Sequence, residues 1–444
     1  MAEYELLLKN GACVTPHGIE TADVVVKDGR IAGMGSFDAA LADEVIDCSG
    51  LHVLPGLIDP HVHARDPGDP SVETLLTATK GAVLGGLCGI FDMPNTVPPL
   101  LSVADLDAKR ARMPEETWCD VGFYVSAARS NLDALEELEA QANVCAVKLF
   151  AGGSRGDLLV EDDASIETAL RNGRRRMCFH AEDEYRVRER KALYASGDPH
   201  RLHAEWRDVD CAMIGTRRIV GLARKVGRPV HILHVSTAEE LEYLSGCRDI
   251  ATVELLVNHL TQTDEAYDRL GGYAVMNPPI RSERHREAAW TALNSGAVDV
   301  IGSDHAPHSR EAKEKPWPDT AAGLTGVQTL APIMLDHVNA GRLPLTRLVD
   351  LMSAGPARVY GVPTKGRLAA GFDADFTIVD MKKRRTIDSG WIASPCGWTP
   401  FDGHSCTGWP RMTIIRGRTV MRDDELQGAP AGKPVPFLGT GMTR

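Results

Sequence analysis

The chain has 444 residues, of which 43% are hydrophobic and 25% are charged, proportions typical of a soluble globular protein with room for a large catalytic domain and a smaller one. Its formal net charge of −12 argues against nucleic acid as the main partner, because phosphate binding needs a concentrated basic surface. No apolar run approaches the roughly 20 residues that span a bilayer, and the amino terminus lacks a secretory pattern, so we expect a cytoplasmic protein with no membrane partner.

The two ends of the sequence share a β-rich texture. Residues 1–54 contain "YELLLKNGACVT", "ADVVVKDGRIAGMG" and "EVIDCSGLHVLP", in which β-branched residues are interrupted by Asn-Gly, Asp-Gly and Ser-Gly turns. A similar texture returns after residue 362, in "KGRLAAGFDADFTIVDM" and "GWPRMTIIRGRTVMRDD". We predict that residues 1–54 and 362–444 pair into one composite β-sandwich domain. Two unrelated β-appendages are the alternative.

Residues 55–361 alternate short apolar runs with longer amphipathic segments. The eight runs are "GLIDPHVH", "GLCGIFDMPN", "CDVGFYVS", "VCAVKLFAG", "RMCFHAED", "PVHILHVS", "ATVELLVNHL" and "AVDVIGSDHAP". The segments between them, such as "SVETLLTATKGAVLGG", have the apolar spacing of helices packed on one face. Eight such alternations predict an α/β fold of the parallel (β/α)₈ TIM-barrel type, and an open doubly wound sheet is the alternative.

Polar residues follow the carboxyl ends of these runs, which form the active-site face of such a barrel. His61 and His63 are two residues apart, so in a strand both imidazoles point to one side. An isolated pair of this kind is as often two ordinary histidines. Imidazole and carboxylate groups converging on one rim instead favour a divalent metal such as zinc. The strand ends offer His61, His63, Asn95, Lys148, His180, His234, His259, Asp304, His305 and His308.

Lys148 is unexpected among these candidate metal ligands, because an ammonium repels metal cations and has no lone pair to donate. A neutral lysine amine can add carbon dioxide to form a carbamate, whose two oxygens can each bind one metal ion. Such a bridge holds two cations about 3.5–4 Å apart, as in two-metal hydrolytic sites. The alternative is a lysine whose ammonium reaches solvent at the strand end.

The strings "PGLIDPHVHARDPG", "DMPNT", "AVKLFAGGS", "FHAEDE", "HILHVST", "NPPIRS" and "IGSDHAPHS" together resemble the dihydroorotases of the cyclic amidohydrolase superfamily. The resemblance runs from about residue 4 to about residue 440. It implies a metal-dependent enzyme that reversibly hydrolyses the cyclic amide of (S)-dihydroorotate to N-carbamoyl-L-aspartate in pyrimidine biosynthesis.

The resemblance also implies roles for individual residues. One zinc ion is expected on the histidine pair and the aspartate, and a second on two further histidines, with the lysine carboxylated as a bridge; the aspartate also shuttles the proton. The corresponding residues are His61, His63 and Asp304, then His180 and His234, then Lys148 as N6-carboxylysine. Binders of the substrate are Arg65, Asn95, Asn277, His308 and backbone groups near Gly323. Some relatives bridge with an aspartate or fill one metal position, which leaves the metal count open.

One departure from the family pattern concerns "LVNHL", where many relatives have a Pro-His-His triplet and Asn258 replaces the first of those histidines. No proposed ligand is lost, and no catalytic role is assigned to His259.

Other functions within and beyond the superfamily remain as alternatives. Allantoinases and dihydropyrimidinases or hydantoinases open other cyclic amides with the same metal set, but their substrates lack a carboxylate for Arg65 to bind. An outward Arg65 paired with Asp66 or Asp69 would remove that argument. A non-catalytic scaffold for a partner such as aspartate carbamoyltransferase is a third interpretation. We expect a homo-oligomer, and residues 308–326 are either a mobile cover over the site or a solvated loop.

Overall fold

The computed structural model describes residues 2–154 and 156–439. In chain order the strands are β1 (Tyr4–Thr15), β2 (Gly18–Lys27), β3 (Arg30–Gly35), β4 (Ala42–Asp47), β5 (His52–Pro55), β6 (Leu57–Val62), β7 (Leu87–Asp92), β8 (Asp120–Ser126), β9 (Val144–Phe150), β10 (Met177–His180), β11 (Val230–Ile232), β12 (Ala251–Leu256), β13 (Val300–Gly302), β14 (Phe376–Thr386), β15 (Ser405–Ile415), β16 (Arg418–Arg422) and β17 (Glu425–Leu426).

The α-helices connect and cover these strands. They are α1 (Leu75–Leu84), α2 (Val103–Glu116), α3 (Leu135–Glu139), α4 (Asp163–Arg171), α5 (Glu184–Lys191), α6 (Leu202–Trp206), α7 (Val209–Val226), α8 (Ala238–Ser245), α9 (Val257–Thr261), α10 (Glu265–Leu270), α11 (Glu283–Ser295), α12 (Arg310–Lys313), α13 (Leu330–Asn339), α14 (Leu345–Val349) and α15 (Gly355–Tyr360). No helix in the described ranges is both long and apolar enough to cross a membrane.

Strands β6 to β13 form one parallel sheet in sequential order, which confirms the predicted barrel and excludes the open doubly wound sheet. Each strand coincides with one of the eight apolar runs, whose residues are almost all buried because helices cover one face and the barrel interior the other. The first and last strands meet through Asp59, whose carboxylate accepts from the backbone N–H of Ser303 at 3.1 Å and from its hydroxyl at 2.5 Å. These contacts close the barrel.

Strands from both ends of the chain form a second, nine-stranded mixed sheet. Its main path runs β17-β16-β15-β14-β5-β1-β2-β3, and β4 adds to β1. The central pairing joins amino-terminal β5 to carboxy-terminal β14, and the apolar side chains of both form one small core. Two unrelated appendages are therefore excluded. The domain limits 1–54 and 362–444 stay a prediction, and residues 440–444 lie outside the described ranges.

Helix starts follow local sequence signals. Thr74, Ser102 and Thr237 each form a capping box at the start of α1, α2 and α8, with the side chain accepting from the backbone three residues on. Gly227 ends α7 in the left-handed conformation, at φ 81°, which favours glycine. These starts fix the strand-to-helix loops, and those loops carry the polar residues of the carboxyl end.

Candidate active site

A cavity of about 170 Å³ opens at the carboxyl ends of the barrel strands. Its lining contains every residue that the sequence assigned to metal or substrate: His61, His63, Arg65, Asn95, Lys148, His180, His234, Asn277, Asp304, His308 and Gly323. The structure thus brings these residues together, while their individual roles stay predictions.

The histidine pair and the aspartate form the tightest group in the cavity. The Nε2 atoms of His61 and His63 lie 3.2 and 3.1 Å from the same oxygen, Oδ1 of Asp304. Burial opposes a charge on Asp304, but the neighbouring histidines and Lys148 outweigh it and hold its pKa well below the usual range. Asp304 is therefore an ionised carboxylate at neutral pH.

Outer hydrogen bonds fix which nitrogen each histidine offers to the cavity. His61 Nδ1 donates to Oε1 of Glu254 at 2.7 Å, and His63 Nδ1 donates to Oδ1 of Asn95 at 2.7 Å. When both imidazoles are neutral, each Nε2 is left with a lone pair that faces the Asp304 carboxylate. Three such groups repel one another unless a cation lies between them, so the donor set fits a metal ion.

A second histidine pair repeats this arrangement across the cavity. His180 Nδ1 and His234 Nε2 lie 3.0 Å apart, and His180 Nε2 donates to Glu182 at 2.6 Å. Burial lowers the pKa of both His180 and His234, so both rings are neutral at physiological pH. The two inner nitrogens therefore need a shared proton or a cation.

Glu182 is in turn held by a buried arginine. Arg207 Nε donates to Glu182 at 3.0 Å, and both side chains are almost fully buried. Burial alone would raise the pKa of Glu182, but the charge of Arg207 and the hydrogen bond from His180 outweigh it and hold the pKa well below the usual range. The orientation of His180 thus depends on the ion pair between Glu182 and Arg207.

Lys148 lies between the two histidine groups and is only 1% exposed, which excludes an ammonium that reaches solvent. Its Nζ lies 4.6 Å from the centre of the Phe150 ring, and no hydrogen bond or ion pair joins it to another described residue. Burial lowers its pKa to about 8. The neutral amine is therefore a minor form near neutral pH, but a far more populated one than in an ordinary lysine.

Arg65 also lines the cavity. Its Nη2 lies 3.3 Å from His308 Nε2, and no described carboxylate lies within 4.0 Å of the guanidinium. The proposed alternative partners are engaged elsewhere, because Asp66 pairs with Arg112 and Asp69 accepts from Ser71. The outward pairing of Arg65 is therefore excluded, and the cavity contains an arginine without a counterion.

Three residues at the same rim have an unfavourable backbone conformation. Arg65, His234 and Asp304 all have positive φ, at 52°, 39° and 47°, a region that non-glycine residues rarely occupy. Such conformations persist where the surrounding structure holds them, and they are common at functional sites. Here they turn three side chains from the strand ends into one cavity.

Asn277 and Gly323 complete the cavity from two loops. Asn277 Oδ1 accepts from His203 Nε2 at 2.9 Å, which leaves its NH₂ group available. Gly323 has φ 151°, and a Cβ there would lie 2.3 Å from the Ala306 carbonyl oxygen. Its N–H already donates to Val275 O, so the free lone pair of its carbonyl is the group that it can offer to a ligand.

Two of the strand-end histidines lie outside the cavity lining. His259 is on helix α9 rather than on the strand, and its Nε2 faces the carbonyl of Pro278 at 3.2 Å. His305 Nε2 instead donates to Glu73 at 2.8 Å. Both are structural histidines held by hydrogen bonds, as buried imidazoles usually are.

Sequence reasoning missed the residues that orient the proposed ligands. Glu254 Oε1 accepts from His61 Nδ1 and also from the backbone N–H of His234 at 3.0 Å, so one oxygen supports both histidine groups. A carboxylate inside the apolar run "ATVELL" is the available signal, since a fully buried charge needs partners. The sequence alone does not say which partners these are.

Comparisons with known proteins identify the family of the chain. The amidohydrolase family profile matches residues 52–420. A dihydroorotase of Pyrococcus abyssi is 35% identical over 416 residues, which cover 92% of this chain and 93% of the relative. An allantoinase of Deinococcus radiodurans is 32% identical over 441 residues, covering 97% and 98%. The solved L-hydantoinase of Arthrobacter aurescens superposes with a TM-score of 0.92 at 27% identity, covering 98% of this chain and 100% of that one.

Proposed function

Since the chain belongs to the amidohydrolase family, whose members are metal-dependent hydrolases, we propose that it is a dihydroorotase. The reaction is the reversible, zinc-dependent hydrolysis of the cyclic amide of (S)-dihydroorotate to N-carbamoyl-L-aspartate, in pyrimidine biosynthesis. That the chain is a cyclic amidohydrolase acting on a small molecule follows from its relatives. The choice of dihydroorotate among cyclic amides is our proposal.

The observation that carries this choice is the unpaired guanidinium of Arg65. Arg65 is half-buried, and a partly desolvated cation without a counterion is costly; a substrate carboxylate relieves that cost with charge-assisted hydrogen bonds. Dihydroorotate and N-carbamoyl-L-aspartate both have such a carboxylate, whereas allantoin and hydantoin do not. The free NH₂ group of Asn95, whose oxygen is bound to His63, adds a neutral donor beside it, and the imidazole of His308 lies against the guanidinium.

The residues fit two zinc ions. His61, His63 and Asp304 would hold one ion, and His180 and His234 the other, with Lys148 as N6-carboxylysine between them. The neutral fraction of the buried Lys148 amine is the form that adds carbon dioxide, and the low pKa of this amine supports the carbamate. Bound zinc supplies a Lewis acid and lowers the pKa of water towards about 7.

Asp304 moves the proton in this proposal. Its ionised Oδ atoms accept a proton from the attacking water, whose oxygen bonds to the ring amide carbon. The carbon–nitrogen bond of the ring then breaks, and Asp304 returns the proton to the leaving nitrogen. In the ring-closing direction Asp304 takes the proton from that nitrogen. Arg65, Asn95 and His308 hold the carboxylate throughout, while Asn277 and the Gly323 carbonyl face the polar edge of the ring.

Further proposals concern the setting of the enzyme. We propose a cytoplasmic homo-oligomer, with aspartate carbamoyltransferase as a candidate partner and with residues 55–361 as the catalytic domain. Support for the compartment comes from the cysteines, because all ten are buried and free, as in a reducing environment. The scaffold alternative is disfavoured, because such subunits typically lose metal ligands and here the whole proposed set faces one cavity.

A substrate panel tests the proposal. The zinc-loaded protein is assayed with dihydroorotate, N-carbamoyl-L-aspartate, allantoin, hydantoin and dihydrouracil, and the two carboxylate substrates are expected to have the highest kcat/KM. Preference for allantoin would favour an allantoinase, as the 32% identical relative suggests. Preference for hydantoin or dihydrouracil would favour a hydantoinase, as the solved neighbour suggests.

Arg65→Met sharpens the panel. We expect the variant to lose about 2–5 kcal/mol of transition-state binding for the two carboxylate substrates while its zinc content is unchanged. Arg174→Met is the matched control, since the Arg174 side chain is 90% exposed. Wild-type kinetics of Arg65→Met on the carboxylate substrates would refute the assignment.

A further inference from the structure

Lys313, the last residue of helix α12, is a buried lysine that the proposed reaction does not use. It is fully buried, and within the described ranges no carboxylate forms an ion pair with it. Burial lowers its pKa to about 7. Lysines are rarely buried without a partner, because the ammonium loses its hydration. The position therefore calls for a reason in the local structure.

Three backbone carbonyls replace the missing carboxylate. Nζ of Lys313 donates to Val275 O at 2.8 Å, to Ala321 O at 2.7 Å and to Gly323 O at 2.9 Å. Its distance to the centre of the Trp398 ring is 5.5 Å. An ammonium has three N–H donors, so the three carbonyls use all of them.

The carbonyls belong to the two loops that complete the cavity. One loop carries Asn277 two residues after Val275, and the other carries Ala322 and Gly323, and all three line the cavity. The loops also bond directly, because Gly323 N–H donates to Val275 O at 3.0 Å. Lys313 thus joins two chain segments that are about 45 residues apart, at the point where both meet the ligand space.

The lysine itself is firmly held. A Cβ on Gly272 would lie 2.0 Å from the Lys313 carbonyl oxygen, so the end of α12 is packed directly against the turn before Val275. Trp317, four residues further on, is also almost fully buried. The segment at residues 308–326 therefore has two buried anchors rather than being solvated along its whole length.

We propose that Lys313 is a positioning residue for substrate binding, which holds the Gly323 carbonyl and the Asn277 loop against the substrate ring. The identity of the substrate in this inference rests on the proposed function, whereas the geometry around Lys313 does not. Without the amine, the Ala321 carbonyl would lose its donor and the Gly323 carbonyl would no longer be held in place. The loops would then keep one direct hydrogen bond, and the wall of the cavity would shift relative to the metal ligands.

The test is Lys313→Met, which keeps the length and apolar contacts of the side chain but has no N–H donors. With dihydroorotate we expect KM to rise about tenfold or more while kcat stays within about threefold, because binding contacts are lost and the reacting groups are not. Zinc content should equal that of the wild type. Lys315→Met is the matched control, since Lys315 is an exposed lysine two residues away and should keep wild-type KM.

The remaining outcomes each decide the question. An unchanged KM, a fall in kcat alone, or loss of zinc would overturn the positioning role. Where Lys313→Met does not fold, Lys313→Gln, which keeps two N–H donors, should fold and show an intermediate KM. Failure of both variants to fold would show a purely structural lysine.

Failure of the proposed function would look different. The wild type would then not turn over dihydroorotate but would open another member of the panel. The Lys313→Met comparison is repeated on that substrate, and the same rise in KM without a fall in kcat supports the positioning role there.

Discussion

Each end of the barrel has a cluster of side chains that could bind a metal ion. The two clusters differ in the cations that neutralise their negative charge. At the carboxyl end, His61, His63 and Asp304 offer three ligand atoms within 4.8 Å of one another. At the amino end, Asp120, the first residue of β8, forms a similar group with Asp373 and Asp375.

The amino-end group is occupied by the protein's own cations. Lys365 Nζ lies 2.7 Å from Asp120 and 3.1 Å from Asp373, and it also pairs with Asp375. Arg416 binds both oxygens of Asp120, at 2.5 and 2.6 Å. At the carboxyl end the neighbouring cations, Lys148 and Arg65, form no such ion pairs. A cluster of carboxylates therefore indicates a metal site only where side-chain cations leave it free.

Lys148→Ala is expected to have the largest effect on turnover, because it removes the one group proposed to bridge both metal positions. The variant should lose most of its zinc and nearly all activity, and a short carboxylic acid such as propionate should restore part of both. Zinc content by elemental analysis and kcat with dihydroorotate are the measurements. Full activity in Lys148→Ala would show that turnover does not depend on a bridging group at this position.

Asp304→Asn tests whether the carboxyl-end aspartate does chemistry that Asp120 does not. The amide has the same size but does not accept a proton at neutral pH, so we expect kcat to fall about 10²–10⁴-fold. The thermal unfolding temperature should stay close to that of the wild type. Wild-type kcat in this variant would require another residue to move the proton.

Glu182→Gln tests the buried ion pair between Glu182 and Arg207, which supports the proposed metal ligand His180. The amide keeps an acceptor for His180 but removes the charge that pairs with Arg207, so the imidazole is held less firmly. Zinc affinity, measured by competition with a chelator, should fall about 10–100-fold, while kcat at saturating zinc stays near the wild-type value. Glu167→Gln, which changes an ion pair at the surface, is the control. An unchanged zinc affinity would show that His180 is oriented without Glu182.

The eight strands and the polar residues at their carboxyl ends were predictable because both depend on local signals, whereas Asn277 and Gly323 were expected only from the family resemblance. An apolar run with polar residues at its end shows a buried strand and its carboxyl edge, and in a parallel barrel all such edges meet on one rim. His61, Lys148 and Asp304 could therefore be placed together without knowledge of any contact between them. The joining of the two β-rich ends was predictable for a related reason, since both ends share one β-rich texture and flank a middle region of a different pattern.

Other features depend on contacts between distant residues, which no local pattern reveals. Lys313 appears in the sequence as an ordinary charge, and Glu254 stands out only because it lies inside an apolar run, yet each is fully buried and holds several partners from other segments. The same holds for Lys365 and Asp120, which are 245 residues apart. Burial and pairing are properties of the folded chain, so charged residues that support the site are harder to find than those that line it.

Lys365→Met changes the carboxylate cluster at the amino end of the barrel and should have the smallest effect on turnover. The pKa of Lys365 is raised well above its usual range, because the attraction of Asp120 and Asp375 outweighs burial. Removing this charge leaves the carboxylates facing one another with Arg416 as their remaining cation. Breaking a buried ion pair in this manner costs about 3–5 kcal/mol, so the free energy of unfolding in urea should fall by that amount. Zinc content and kcat per folded molecule should be unchanged, because this cluster begins at the opposite end of β8 from the cavity. A loss of zinc in the folded variant would mean that the cluster around Asp120 and the proposed metal site are coupled through the barrel.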